Sequence, residues 1–264
     1  MAELFETEKS YVESLEILVN RYMKPLKQSE QLIEPMIVDE IFFQVQELLA
    51  QHQVFLDLLS QRLRNWDSSQ NLGDIFLNAF TTQPMGQVYT AFINNWSHAR
   101  DLIRLSSSNK PSFANFLETA SREHRGKLTL DALMIMPVQR IPRYELLIKE
   151  LIKHTDQSHP DQQLLLAAQK EVHDLALEIN AVEEESFAQE RLMMRMREIE
   201  NLVDGVGDLV HPDRSFLRHD FVTIPGGLGT KKDRCLFLFS DILIIASLKR
   251  KSGVSRKASA ISSA

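Results

Sequence analysis

The sequence predicts a mainly α-helical protein, an elongated helical bundle followed by a short antiparallel β-meander. Apolar residues recur at helical spacing up to about residue 204, and short apolar runs separated by turn signals follow. Three of the nine glycines precede residue 205 and six follow it. We therefore expect a helical domain over residues 1–204, a small β-module over 205–250 and a disordered tail over 251–264.

Composition fits an ordinary globular chain. The 264 residues are 44% hydrophobic and 25% charged, which is enough apolar mass for a core. No apolar run approaches about 18 residues, and no cationic segment precedes an apolar one at the N-terminus, so neither a membrane span nor a signal peptide is predicted. Cys235 is the single cysteine, which excludes an internal disulfide and fits a reducing compartment. We expect a cytoplasmic protein.

The net charge of −6 is unevenly distributed. Residues 205–264 hold ten Lys/Arg against five Asp/Glu, so the helical part carries the acidic excess. An acidic helical domain argues against a nucleic-acid partner, because nucleic-acid binding depends on neutralising phosphates. The basic C-terminal part could favour an anionic membrane surface, and peripheral membrane attachment is therefore a second expectation.

The helical part divides into successive amphipathic segments. The first helix has its apolar face from Leu4 to Leu26, with a kink or early stop expected near Pro25. Further helices are expected over residues 37–63, 72–80, 86–105, 112–123 and 161–202.

One segment, Leu128 to Thr155, has helical periodicity although it contains Pro137 and Pro142. Each proline costs roughly 3 kcal/mol inside a helix. A polar cluster lies between and beside the two prolines, consisting of Gln139, Arg140 and Arg143. A helix with that penalty beside exposed polar groups is a candidate interaction surface; a kinked core helix with solvated charges is the alternative.

A row of residues follows this segment at successive i+4 steps. It consists of Lys127, Asp131, Ile135, Gln139 and Arg143, so each residue should neighbour the next on a helix surface. Ile135 is the apolar member of a polar row. Either the core absorbs it or it serves as a hydrophobic anchor for a partner.

The C-terminal module reads as about three strands. The apolar runs are Phe221–Ile224, Cys235–Phe239 and Ile242–Ala246, with a glycine-rich stretch after the first and Ser240-Asp241 as the second turn. Three strands with one apolar face are marginal for independent stability, so the module looks incomplete.

No motif for covalent chemistry emerges from the sequence. The stretch Gly226 to Lys231 leads into a strand and not into a helix N-terminus, so it lacks phosphate-loop geometry. Neither HExxH nor GxSxG spacing occurs, and one cysteine cannot build a thiolate zinc site. We expect a protein that acts by binding, with no cofactor, no metal and no bond-making site of its own.

Three segments carry a resemblance to a known family. PVQRIPRYELLIKELIKHT (137–155) resembles the third conserved region of Dbl-homology domains, the helical exchange factors for Rho-family GTPases. ELFETEKSYVESLEILVNRYMKPL (3–26) resembles the first conserved region, and FLFSDILIIAS (237–247) resembles the opening strands of a pleckstrin-homology domain. A closer similarity, to the Rho-acting tumour-endothelial-marker type, is a further hypothesis.

The resemblance implies a mechanism and a set of contact residues. Such domains bind the GTPase switch regions, disturb the magnesium and phosphate site, and stabilise the nucleotide-free state. Glu3 matches the glutamate that bonds to switch I. Gln139 and Arg143 match the polar pair facing switch II, and Asn180 matches the asparagine of the last long helix that also meets switch II.

The resemblance also implies a target. Lys127 falls where Rho-acting members often carry a basic residue facing acidic groups of the GTPase. Ile135 falls where a branched aliphatic residue suits the tryptophan of Rho and Rac better than the phenylalanine of Cdc42. A RhoA-type GTPase is therefore favoured. The alternatives are a helical scaffold without exchange activity and a lipid-binding adaptor.

Cations of the second module suggest the lipid function. Lys231, Lys232 and Arg234 are expected in the loop between the first two strands, where phosphoinositide-binding pleckstrin-homology domains place cations, and Lys249 to Lys251 follow the third strand. Weak attraction to anionic lipid, at about 1 kcal/mol per suitably placed cation, is the functional interpretation. A solvated basic loop is the alternative.

Overall fold

The computed structural model describes residues 1–67, 69–82, 84–123, 126–211, 214–225 and 231–247. The tail at 251–264, the glycine-rich turn at 226–230 and the cations at 249–251 lie outside these residues. Within the described part, no helix is long and apolar enough to cross a membrane. The predicted fold class, mainly α-helical with a short antiparallel sheet, is confirmed.

Helices joined by loops and turns form most of the chain up to residue 202. In order they are α1 (Ala2–Ile17), α2 (Lys24–Lys27), α3 (Pro35–Ile41), α4 (Val45–Arg64), α5 (Gly73–Leu77), α6 (Met85–Asn109), α7 (Pro111–Arg122), α8 (Leu130–Met134), α9 (Met136–Lys153) and α10 (Asp161–Leu202). Two π-helical turns interrupt them, Leu18–Met23 between α1 and α2 and Asn78–Thr82 after α5.

Two segments expected as single helices are each divided. After Pro35 the chain forms α3 and α4, separated where Gln44 adopts a left-handed φ of 63°. The central segment forms α8 and α9, which meet at Ile135. Pro137 consequently lies in the first turn of α9, where a helix has no intrahelical N–H bond to lose, and the penalty we expected for it does not apply. Pro142 lies inside α9 as expected.

The chain forms two compact units, Met1–Glu184 and Glu185–Ala264. The first has one continuous apolar core contributed by the faces of its helices. At its centre, Phe55, Phe76 and Phe80 surround the ring of Tyr144 with centroid distances of 5.8–5.9 Å. Edge-on packing at such distances stabilises aromatic pairs beyond their buried area. This core supports α9, the helix that carries two of the predicted contact residues, Gln139 and Arg143.

The start of α10 is fixed by a buried carboxylate. Asp161 accepts hydrogen bonds from the backbone N–H groups of Leu72 and Gly73, both at 2.8 Å. Gly73 approaches so closely that a Cβ there would lie 2.5 Å from the backbone of Leu164 and Leu165. The position therefore requires glycine, and the two helices α5 and α10 are held in tight contact.

The second unit contains a three-stranded antiparallel sheet, β1 (Phe216–Pro225), β2 (Lys231–Phe239) and β3 (Leu243–Ser247), in the order β1-β2-β3. Phe237 and Phe239 are buried in one cluster with Met196 and Ile199 of α10. The last turns of α10 thus pack with the sheet, whereas the composition changes only at residue 205. The domain boundary at residue 204 stays a prediction.

The three cations expected in the loop after the first strand belong to β2. Lys231 pairs with Pro225, Lys232 with Ile224 and Arg234 with Val222. The loop placement was wrong because the strand begins at the first lysine, four residues before the apolar run that predicted it. Lys231 and Lys232 remain exposed, and the lipid attraction expected of these cations stays a prediction.

Candidate functional site

Helix α9 presents two exposed polar side chains on adjacent turns. Gln139 and Arg143 are both exposed, one helical turn apart, and face outward. Arg140, between them, points the other way and is only 3% exposed. The polar cluster predicted from the sequence therefore divides, and treating Arg140 as part of an exposed group was wrong.

Arg140 forms a buried ion pair with Glu8 of α1. Its guanidinium donates to Oε2 of Glu8, which is fully buried, and the Tyr144 hydroxyl donates to the same oxygen. The guanidinium also lies over the rings of Tyr144 and Tyr11, at 4.4 and 5.1 Å from their centroids. Charge pairing and ring contacts offset part of the desolvation cost of the two charges, and Nε of Arg140 remains buried without a hydrogen-bond partner.

Histidine and tyrosine side chains extend this pair across the unit. His52 of α4 contacts Oε1 of Glu8 through Nδ1 at 2.7 Å and the Tyr89 hydroxyl through Nε2 at 2.8 Å. The Tyr89 and Tyr11 hydroxyls lie 3.1 Å apart. We call this set the buried polar network: Glu8, Tyr11, His52, Tyr89, Arg140 and Tyr144. It links α1, α4, α6 and α9.

Electrostatics favour a charged Glu8 inside this network. Burial alone would raise the pKa of its carboxyl group, but the charges and hydrogen bonds of His52, Arg140 and Tyr144 outweigh burial and lower that pKa below its ordinary value. Burial and the charge of Glu8 raise the pKa of Tyr144 well above its ordinary value, so its hydroxyl remains a donor. At the centre of the network, Glu8 consequently accepts and Tyr144 and Arg140 donate.

Two contacts orient the first helix relative to α9. Glu8 meets Arg140 and Tyr144, and Tyr22 in the following π-helical turn donates to the carbonyl of Leu128 at 2.9 Å. Later residues of the first helix thus meet earlier residues of the α8–α9 segment, so the two run antiparallel. Glu3 is exposed and lies five residues before Glu8, about 7 Å farther along the helix.

A contact between α9 and α10 fixes the level of Asn180. Nδ1 of His173 lies 3.0 Å from Oε1 of Glu145, and the helices are joined by a short connection, so they are antiparallel. Asn180 is seven residues beyond His173 and Gln139 is six residues before Glu145, which is about 10 Å along each helix. Exposed Asn180 is therefore level with Gln139. We call the four exposed residues Glu3, Gln139, Arg143 and Asn180 the polar surface, and that they contact one partner stays a prediction.

Lys127 does not continue the helical row that the sequence suggested. Lys127 precedes α8 and has a left-handed φ of 48°. The helix begins only after Thr129, whose hydroxyl caps it by accepting from the N–H of Ala132 at 3.2 Å. The Lys127 side chain is exposed, near the anchored carbonyl of Leu128. The row is helical only from Asp131 onward, where N–H groups of Ile135 and Gln139 each bond four residues back.

Ile135 lies between the two alternatives that were left open, and its service as an anchor for a partner stays a prediction. It is half-buried and packs against the core of the first unit, yet part of its side chain reaches the surface.

No candidate metal site was found in the described residues, because no group of three or more His, Cys, Asp or Glu side chains there could hold an ion.

The buried polar network was not predicted from the sequence, which placed Arg140 among exposed side chains. A signal was present, because Glu8 lies in phase with the apolar face of α1, four residues after Leu4 and three before Tyr11. His52 likewise lies among the buried residues of α4. A charged residue in phase with an apolar stripe indicates a buried pair, although the sequence does not identify its partner.

Comparison with known proteins agrees with this architecture. The family model described as the RhoGEF domain matches residues 1–180, which includes every element of the polar surface. The chain therefore belongs to the RhoGEF domain family.

Relatives and solved structures support the assignment. The chain is 45% identical to Rho guanine nucleotide exchange factor osg-1 of Caenorhabditis elegans, over 94% of this chain and 21% of that protein. It is 44% identical to Rho guanine nucleotide exchange factor 17 of Homo sapiens, over 97% of this chain and 12% of that protein. The chain thus spans between 12% and 21% of the length of these relatives.

Solved DH/PH structures share the fold at low sequence identity. The N-terminally truncated linker-DH/PH domains of p115-RhoGEF align with a TM-score of 0.66 and 19% identity, over 94% of this chain and 77% of that one. The structure of human RhoA in complex with the DH/PH fragment of PDZ-RhoGEF aligns with a TM-score of 0.66 and 22% identity. The alignment covers 92% of this chain and 72% of that one. At this identity the likeness establishes the fold.

The buried pair should be strongly coupled in stability. Arg140→Met leaves the Glu8 charge buried without its main partner and should lower the free energy of unfolding by about 3 kcal/mol. In the double variant with Glu8→Gln, the uncompensated charge is gone, so the combined loss should be smaller than the sum of the single losses by at least about 1 kcal/mol. Urea unfolding of the four proteins measures this coupling; strict additivity would show that the pair does not act as a unit.

Proposed function

We propose that this chain is a guanine nucleotide exchange factor for Rho-family GTPases, most active on a RhoA-type GTPase. The observation that carries the proposal is the polar surface: four exposed polar side chains on three helices that a buried network and an interhelical contact hold in place. Membership of the RhoGEF domain family and the names of the relatives support the same activity.

The mechanism requires no covalent step by the exchange factor. Glu3 would bond to switch I, and Gln139, Arg143 and Asn180 would bond to switch II, so that the GTPase is held in a conformation that binds magnesium and nucleotide poorly. A partner that binds two states equally shifts no equilibrium, however tightly it binds. Exchange therefore depends on contacts made more fully with the nucleotide-free GTPase than with the loaded one.

Rigidity of the supporting helices suits this mechanism. Side chains that are already held at fixed positions lose less conformational freedom on binding, which leaves more of the contact energy for distorting the partner. In this chain the backbone beneath Gln139 and Arg143 is held by Arg140, whose side chain points into the core. The same helix thus serves as part of the core and as a binding surface.

A RhoA-type target is favoured by three considerations. Lys127 is exposed where a basic residue would face acidic groups of Rho, and part of Ile135 is accessible for a large apolar side chain. In addition, two solved structures that share this fold are complexes of PDZ-RhoGEF DH/PH domains with RhoA. A helical scaffold that binds GTPases without exchange is the competing function, and it differs in a single measurable property, the rate of nucleotide release.

Removing one polar group at a time should slow exchange without unfolding the chain. Gln139→Ala and Asn180→Ala each delete one partner of an interface hydrogen bond, at about 1–3 kcal/mol, or roughly five- to hundredfold in rate if the bond forms mainly in the nucleotide-free complex. Fluorescent-GDP release from RhoA measures the effect. His154→Ala, at an exposed position on the same α9–α10 hairpin, is the matched control and should release GDP at the wild-type rate.

Full activity in both alanine variants would contradict the proposed contacts. A large fall in melting temperature would contradict them as well, because these side chains would then support the fold. Failure of the wild-type chain to accelerate release from any GTPase would favour the scaffold.

Target choice is tested by comparing three GTPases side by side. The wild-type chain should act most slowly on Cdc42, because one apolar mismatch at Ile135 is worth about 1–3 kcal/mol. It should act faster on RhoA than on Rac1, because Lys127 is expected to face acidic groups of Rho. Lys127→Ala should reduce the RhoA rate, by a few-fold or less if the charge pair stays at a solvated rim. Faster exchange on Cdc42 than on RhoA would reject the Ile135 argument, and an unchanged RhoA rate in the variant would reject the charge argument.

A further inference from the structure

A groove opens between α6 and α10 in the first unit. Its volume is about 580 Å³, within the range of about 300–1,000 Å³ that is typical of binding sites. Glu178 lies on its α10 wall, two residues before Asn180 and therefore about 200° around the helix from it. The groove thus lies on a different face of α10 from the polar surface, and the proposed exchange mechanism does not use it.

The two walls of the groove differ in charge. The α10 wall presents three carboxylates at helical spacing, those of Glu171, Asp174 and Glu178. The α6 wall presents neutral polar side chains at the same spacing, those of Gln87, Thr90 and Asn94. Apolar surface comes from Phe80, Ala91 and Leu175. Among the described residues that line the groove there is no Lys, Arg or His, so one side of it is anionic.

Contacts within the chain satisfy these carboxylates only in part. Glu178 accepts a hydrogen bond from the Thr90 hydroxyl at 3.3 Å. Asp174 pairs with Lys170 at 3.5 Å, but both side chains are more than half exposed, so solvent weakens that pair. Half-buried Glu171 has no ion pair within the part of the chain that the structure describes. A positively charged partner would therefore gain contacts that the chain itself does not supply.

The spacing of the carboxylates indicates what form the positive charge takes. No group of three or more His, Cys, Asp or Glu among the described residues could hold a metal ion, so the three carboxylates do not converge on one cation. Successive carboxylates are separated by about one helical turn, or about 5 Å along the axis. Alternate side chains of an extended peptide point to one side and lie about 7 Å apart, which is a comparable spacing. The wall is about 10 Å long, so about three extended residues span it.

We infer that this groove docks a short extended segment of a partner protein, one with Arg or Lys on alternate residues. The basic side chains face the α10 wall, and the residue between them faces the neutral α6 wall. Charge complementarity identifies the occupant, because every charged side chain among the described lining residues is a carboxylate. The groove and the polar surface lie on different faces, so the partner and a GTPase can bind together, and the inference does not rest on the proposed function.

Peptide binding tests the groove directly. The probe is a fluorescein-labelled peptide, Gly-Ser-Arg-Leu-Arg-Ser-Gly, with both ends blocked. It is compared with Gly-Ser-Glu-Leu-Glu-Ser-Gly and with Gly-Ser-Leu-Arg-Arg-Ser-Gly, in which the arginines are adjacent. Fluorescence anisotropy should show the alternating peptide binding at least tenfold more tightly than the acidic one and several-fold more tightly than the adjacent one. No saturation at about 1 mM protein, or equal affinity for the two arginine peptides, would overturn the inference.

Matched variants distinguish the groove from the net charge of the chain. Glu171→Gln combined with Glu178→Gln removes two groove charges and should weaken binding of the alternating peptide about tenfold. Glu47→Gln combined with Asp57→Asn removes the same charge from exposed positions on α4 and should leave the affinity within about twofold of wild type. Equal weakening in the two double variants would overturn the inference, because binding would then follow net charge alone.

A second pair of variants decides the question if the groove double variant unfolds. Asn94→Lys places a cation on the exposed part of the α6 wall and should weaken binding of the alternating peptide about tenfold by repulsion. Thr119→Lys adds the same charge at an exposed position on α7 and should have less than half that effect. Equal effects of the two lysines would contradict a site in the groove.

Two further readouts separate this partner from the other possible occupants. Fluorescent-GDP release from RhoA should be the same for wild type and the groove double variant; slower release in that variant alone would overturn the inference, because the groove would then contact the GTPase. If wild type releases no GDP, the proposed function fails and the peptide comparison still decides the groove. Sedimentation of the chain alone excludes a second copy: self-association that the groove double variant abolishes would overturn a partner protein as the occupant.

Discussion

The ion pair between Glu8 and Arg140 is the contact on which the arrangement of the polar surface depends. It joins residues that are 132 positions apart in sequence, and both side chains are buried. A buried charge without its partner is costly, so α1 and α9 are stabilised in the one relation that pairs them. In that relation Gln139 and Arg143 face outward from the turns on either side of Arg140.

The rest of the first unit can be understood as support for this pair. His52 and Tyr89 add hydrogen bonds from α4 and α6, so the pair is linked to four helices and not only to two. The aromatic rings around Tyr144 exclude water from it. Outside this core, the polar surface contributes little to folding, because its side chains are exposed. Those residues can therefore vary to suit a partner without a large cost in stability. An exchange mechanism based on differential binding requires such residues.

The sequence predicted the architecture well and the interior poorly. Helical periodicity, the glycine distribution and the turn at Ser240-Asp241 were sufficient for the helices and the three strands, because these follow from local spacing. The breaks at Gln44 and Ile135 were missed, since apolar residues remain in phase across each of them. The burial of Arg140 was missed for a different reason. Its side chain points into the core because it pairs with Glu8, which is distant in sequence, and no local pattern connects the two residues.

Placement of the expected contact residues shows the same division. Gln139, Arg143 and Asn180 are exposed on helices, as expected from residues matched to helical motifs. Lys127 is exposed but precedes the helix. An unbroken row would require Lys127 to be helical, whereas Thr129 is the N-cap of α8, which begins at Leu130. A cavity of about 610 Å³ beside Ile135 could not be predicted from the sequence, because it is formed where α6, α7 and the α8–α9 junction meet.

The proposed exchange activity requires that this chain prefer the empty GTPase to the loaded one. The most direct measurement compares its equilibrium affinity for RhoA without nucleotide and for RhoA bound to GDP and magnesium, under identical salt and temperature. We expect the nucleotide-free form to bind at least about a hundredfold more tightly, which corresponds to about 2.7 kcal/mol of differential affinity. Equal affinity for the two forms would contradict the account, because a chain that binds both states equally could hold a GTPase but could not accelerate the release of its nucleotide.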